Sequence, residues 1–176
     1  MKRMARLMLH CSEQMEKENL IWNTVGSFLY ALANMVLAFL VIRLAGEDAG
    51  GVFAIGFSTF GQQMFTVSYY GLRPFHITDS GADKGGYSFG EYYRHRQITA
   101  AAAVLLAALY AFWRVGGGLY EPEKAAAVFM LAVYKIIDGF ADVYESEFQR
   151  QGCLYLTGKS MAFRTVLSAG TFLLVL

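Results

Sequence analysis

Five polar residues follow one another at steps of three or four: Lys135, Asp138 and Asp142 lie within an otherwise apolar stretch running from residue 125 to 144, and Glu145 and Gln149 continue the same face. That spacing puts them on one stripe of a helix. Placing a charge near the centre of a bilayer costs roughly 2.5–3.5 kcal/mol on insertion scales, and such residues face a bundle interior or a water-filled path. Lys135 and Asp138 are one turn apart, so they could also neutralise each other as a structural pair. A buried Asp138 or Asp142 could exchange protons, which would suit cation-coupled transport.

Two further stripes point the same way. Asn23, Ser27, Tyr30 and Asn34 share a helical face, and so do Ser58, Gln62, Thr66, Tyr69 and Arg73. Ser, Thr, Asn and Gln commonly bond across packed membrane helices, and Gly56 and Gly61 allow close approach. Three helices with polar faces nevertheless imply more than helix contacts, namely a bundle around a wet cavity. The candidate cavity or substrate residues are therefore Lys135, Asp138, Asp142, Arg43, Arg73, Asn23, Asn34 and Gln62. Lys135 is the strongest candidate of these, because lipid would otherwise exclude it.

The surrounding elements must be long and apolar. The chain is 56% hydrophobic and 16% charged, against about 25% charged in a soluble domain. Residues 20–42 and 49–72 contain no charge, and each exceeds the roughly 20 residues that cross a bilayer core. The fold class expected is all-α: a polytopic integral membrane bundle of about five transmembrane helices, over 20–43, 50–72, 97–117, 124–145 and 161–176. Residues 1–18 form a cytoplasmic amino-terminal tail, and 19–176 form the transmembrane domain. With the amino terminus inside, eleven of the 15 basic residues fall in internal segments and three (Arg43, Arg114 and Lys124) fall outside, as the positive-inside rule asks. The fifth apolar stretch is short for a span, so the frame is expected to be truncated.

Several functions are disfavoured. No phosphate loop, zinc-protease helix or nucleophile elbow occurs, so no catalytic residue and no cofactor is expected. His10, His76 and His95 are scattered, and Cys11 and Cys153 lack ligand spacing, so no metal is expected. The net charge of +1 and basic residues that track topology argue against nucleic acid.

Several segments carry a resemblance. These are Asn23-Thr24-Val25-Gly26-Ser27, Val41-Ile42-Arg43-Leu44-Ala45-Gly46 with Ala49-Gly50 after it, and Tyr70-Gly71-Leu72-Arg73-Pro74-Phe75-His76-Ile77-Thr78-Asp79. Asp138-Gly139-Phe140-Ala141-Asp142-Val143-Tyr144 is followed by Phe148-Gln149-Arg150-Gln151-Gly152, and then by Lys159-Ser160 and Arg164. From residue 19 onward the chain resembles the amino-terminal part of bacterial polysaccharide-repeat flippases. These are the Wzx-like branch of the multidrug/oligosaccharidyl-lipid/polysaccharide exporter superfamily. The resemblance implies a multi-pass protein of the bacterial cytoplasmic membrane that flips a polyprenyl-pyrophosphate-linked oligosaccharide by alternating access. Lys135, Arg43 and Arg73 would then attract the anionic pyrophosphate. Family members have about twelve or more spans, so the chain would need self-association or a complementary second lobe, and could be inactive alone. The alternatives are a non-transporting scaffold or assembly subunit in contact with membrane lipids, and a drug/cation antiporter of the same superfamily.

Overall fold

In a computed structural model, residues 15–81 and 85–175 are described, and every regular element among them is helical. The tail 1–14 with His10 and Cys11, residues 82–84 with Lys84, and Leu176 lie outside the described residues. The elements are α1 (Met15–Phe53), a π-helical turn (Ala54–Thr59), α2 (Phe60–Tyr69), α3 (Arg73–Thr78), α4 (Phe89–Gly116), α5 (Pro122–Arg150) and α6 (Leu154–Val175). Two helical stretches, Glu16–Thr78 and Phe89–Gly116, are long and apolar enough to be candidate membrane spans.

The first stretch is not one rod. Gly46 has φ 92° and ψ 175°, a conformation available to glycine for want of a Cβ. The chain doubles back there, and a Cβ on Gly50 would stand 2.5 Å from the Ile42 side chain. Leu37 and Val41 before the bend therefore cluster with Phe53 and Phe57 after it.

Starts and stops follow local chemistry. α4 opens with a capping box, in which the Ser88 backbone N–H donates to Glu91 Oε2 at 2.7 Å while the Ser88 side chain takes the Glu91 backbone N–H. α5 opens with Pro122 in its first turn, where the missing N–H costs nothing.

α5 is the hub, with contacts to every other element except the loops. Its inward face runs Ala125, Val128, Ala132, Ile136, Gly139 and Val143, at helical spacing. Small residues set the approach on three sides. Ala103 and Ala107 of α4 are fully buried in the same cluster as Ala132. A Cβ on Gly139 would lie 3.1 Å from the Phe65 carbonyl, and one on Gly56 would lie 3.1 Å from the Val128 Cα.

α6 packs chiefly along α1, and their crossing is glycine on glycine. A Cβ on Gly26 would meet the Gly158 carbonyl at 2.5 Å, and one on Gly158 would collide with the Trp22 carbonyl. Asn19 ties the same end, donating to the Gly152 carbonyl at 2.9 Å and accepting the Tyr155 backbone N–H at 2.7 Å.

This contact makes a prediction. Gly158→Val should destabilise the bundle by roughly 1–3 kcal/mol, the usual cost of overpacking. Gly170→Ala, at a site with nothing within 4 Å, should stay within about 0.5 kcal/mol of the parent. Thermal unfolding of the purified proteins compares the two, and equal effects would refute the tight crossing.

Candidate functional site

Each carboxylate on the α5 stripe is met by a cation or hydroxyl from a different helix. Asp142 is held on both oxygens. Arg73 Nη1 donates to Oδ1 at 2.6 Å, and Arg96 Nη2 donates to Oδ2 at 3.0 Å. Ser146 Oγ adds a contact to Oδ2 at 3.1 Å. Arg73 also donates through Nη2 to Gln149 Oε1 at 2.8 Å. Arg164, on α6, bridges the other two acids, at 3.1 Å from Asp138 Oδ1 and 3.0 Å from Glu145 Oε1. Charge-assisted bonds of this length are the strong ones, and a buried charge is tolerable only when so paired.

Lys135 and Asp138 meet through a third residue rather than directly. Lys135 Nζ donates to the Tyr30 hydroxyl at 3.1 Å, and that hydroxyl donates to Asp138 Oδ2 at 3.0 Å. The ammonium lies 3.9 Å from the centre of the Phe57 ring, so a π face covers part of its charge. Lys135 is only 3% exposed.

A cavity of about 220 Å³ adjoins this network, lined by Gln62, Arg73, Asp138, Asp142, Glu145 and Arg164, with Tyr30, Phe65 and Met161 completing the wall. Arg73 and Arg164 reach its rim, with side chains 25% and 28% exposed, whereas Arg96 is 1% exposed. Four cations (Arg73, Arg96, Lys135, Arg164) face three carboxylates, so the cluster carries a net positive charge. Its two accessible charged groups are guanidinium forks, suited to phosphate and carboxylate geometry.

The residues singled out from sequence part company here. Asp138, Asp142, Arg73 and Gln62 come together at this cavity. Lys135 is part of the network but not of the cavity wall. Asn34 lines a neighbouring apolar cavity, and Asn23 sits half-buried at the Gly26–Gly158 crossing. Arg43 is exposed beyond the hub, thirteen residues past Tyr30 on the same helix and so about 20 Å along its axis. Arg96 and Arg164 are the partners that the pattern alone did not single out, and Tyr30, a member of the first stripe, joins them. Charge balance was the available signal: three acids and one lysine on a single stripe need cations from elsewhere.

A second polar group closes the Arg73 end. His76 is buried, stacked on Tyr92 with ring centroids 4.0 Å apart, and its Nε2 lies 2.9 Å from Glu147 Oε2. Arg150 donates to both oxygens of Glu147, at 3.0 and 2.8 Å. Asp79 collects the Tyr92 hydroxyl at 2.6 Å, the Tyr87 N–H at 2.9 Å and the Gly81 N–H at 3.0 Å. Those hydrogen bonds hold its carboxyl down at about 2. Burial lowers the His76 imidazolium below its ordinary value, against the upward pull of Glu147. Among the described residues no group of His, Cys, Asp and Glu is arranged to hold a metal ion.

No protein-family model, no curated protein and no solved structure matches this chain.

Two predictions arise from these contacts. Asp142→Asn strips the counter-charge from buried Arg96 and should cost roughly 3 kcal/mol. Arg73→Gln removes a quarter-exposed partner and should cost about 1 kcal/mol or less; denaturant unfolding of both variants tests the order. For His76, a folded-state pKa below the unfolded value means that the unfolded chain binds the extra proton. The His76 contribution is therefore complete above about pH 6.5 and is lost as pH falls through the lowered folded value. His76→Gln should remove that part of the acid dependence of unfolding, and an unchanged profile would assign it to other groups.

Proposed function

We propose that the chain is a five-span helical membrane protein of the bacterial cytoplasmic membrane, with its amino terminus inside. Its spans run near 20–43, 50–72, 97–117, 124–145 and 161–176, and it flips polyprenyl-pyrophosphate-linked saccharide units as a Wzx-like exporter lobe. Large apolar side chains such as Phe28, Phe39, Phe112 and Leu174 are exposed along the outside, as a lipid-facing surface requires. α5 fits among the spans because its charges are paired inward, where membrane proteins keep them.

One observation carries the transport reading. Ser58, Gln62 and Thr66 are exposed, and their stripe leads to the charged cavity that Gln62 helps line. Among the described residues the Thr66 hydroxyl bonds only its own helix, through the Gln62 carbonyl at 3.0 Å. A polar stripe serving only to hold helices together would be buried between them. An exposed stripe ending at two accessible guanidinium groups favours a wet path for an anionic headgroup. Arg73 and Arg164 are the pyrophosphate contacts in this reading, and Lys135 supports them from behind by fixing Tyr30 and Asp138.

Substituted-cysteine labelling tests this, in inserted protein with Cys11→Ser and Cys153→Ala. Gln62→Cys should react with a membrane-impermeant thiol reagent, and a polyprenyl-pyrophosphate-linked saccharide should slow that reaction. Lys135→Cys should stay protected. Protection at Gln62→Cys would mean that the stripe is packed shut, and the scaffold reading would then replace transport.

A further inference from the structure

Beside the charged cavity lies a second one, of about 170 Å³, walled mostly by Leu37, Phe53, Phe57, Leu131 and Phe172. Tyr30 lines both cavities, so the two adjoin beside it, and its hydroxyl is bonded to Lys135 and Asp138. Three helices grade in the same direction across that junction. On α1 the residues run from Tyr30, which holds Asp138, through Asn34 to Leu37. On α5 they run from Asp138 through Tyr134 to Leu131, and on α6 from Arg164 through Thr165 and Ser168 to Phe172. Each passes from charged or charge-bonded, through neutral polar, to apolar within about two helical turns.

The boundary holds an unspent donor. Thr165 is buried, and among the described residues its Oγ1 has no hydrogen-bond partner, although a buried hydroxyl normally finds one. It sits where the wall changes from polar to apolar. At the other end the cavity reaches the surface beside Met130, which is largely exposed.

From this gradient we infer that the paired cavities take an amphipathic ligand in one orientation: a phosphate or pyrophosphate group on Arg164 and Arg73, with the first carbons of an isoprenoid chain beyond Tyr30. This rests on the flippase reading and adds to it a chain seat inside the helical bundle. The size fits, since an apolar cavity of about 150 Å³ accepts a benzene-sized molecule, which is close to one five-carbon isoprene unit. Thr165 Oγ1 then donates to the ester oxygen that joins chain to phosphate, satisfying the buried hydroxyl. The leaving direction for the rest of the chain is past Met130 into the surrounding apolar phase.

Binding measurements on the full chain in zwitterionic phospholipid nanodiscs test the assignment, with inorganic pyrophosphate and the five-carbon dimethylallyl diphosphate as probes. The five-carbon probe should bind on the order of tenfold more tightly or better, as expected for burying its carbons. Ala169→Phe and Ala33→Leu fill the apolar cavity from α6 and α1 respectively, so one can serve if the other misfolds. Either should abolish the difference between probes while leaving pyrophosphate binding in place. If pyrophosphate binds and the carbons add nothing, or if their gain survives both fillings, the chain seat is overturned and the headgroup site stands. If neither probe binds the parent protein, the flippase reading fails along with it.

Discussion

The neutralisation of three carboxylates on one helix is the constraint around which this bundle is organised. Asp138, Asp142 and Glu145 lie on the buried face of α5, where an unpaired charge would cost several kcal/mol. No single neighbour supplies all the counter-charges. Arg73 comes from α3, Arg96 from α4 and Arg164 from α6, while Tyr30 of α1 links Lys135 to Asp138. Removing α1, α3, α4 or α6 would therefore strand a charge. The network couples elements that share few apolar contacts, above all α6 with α5.

That coupling is possible only because the helices come close. Hydrogen bonds near 3 Å between side chains on different helices need backbones drawn together by small residues. Gly26 against Gly158, Gly56 against α5 and Gly139 against α2 supply the approach. The π-helical turn at Ala54–Thr59 belongs to the same arrangement. It carries Gly56 and Phe57 inward while Ser58 stays on the exposed face. Insertions of this kind occur often at functional sites, and here Phe57 of the turn walls the apolar cavity.

The network is closed on its inner side and open on its outer side. Arg96 and Lys135 are spent on internal partners, whereas Arg73 and Arg164 keep part of their guanidinium surface at the cavity rim. A site built this way holds its accessible cations in place with buried carboxylates, so that little ordering remains for a ligand to drive. The same carboxylates temper the local field at the rim.

Helical periodicity, the polar stripe of α5 and the two charge-free stretches are properties of neighbours along the chain, so the sequence alone determined them. The all-helical class was legible for that reason. The partners were not. Lys135 stood out as the accessible cation, yet it lies buried behind Tyr30. Arg96 and Arg164 read as topology markers, yet they hold the acids in place. Arg43 and Arg73 looked equivalent, yet one is distant from the cavity and the other rims it. Which side chains meet across helices depends on the rotation of each helix about its axis and on the height at which glycines let two backbones cross. Those quantities arise from packing the whole bundle at once, and only the tertiary structure decided them.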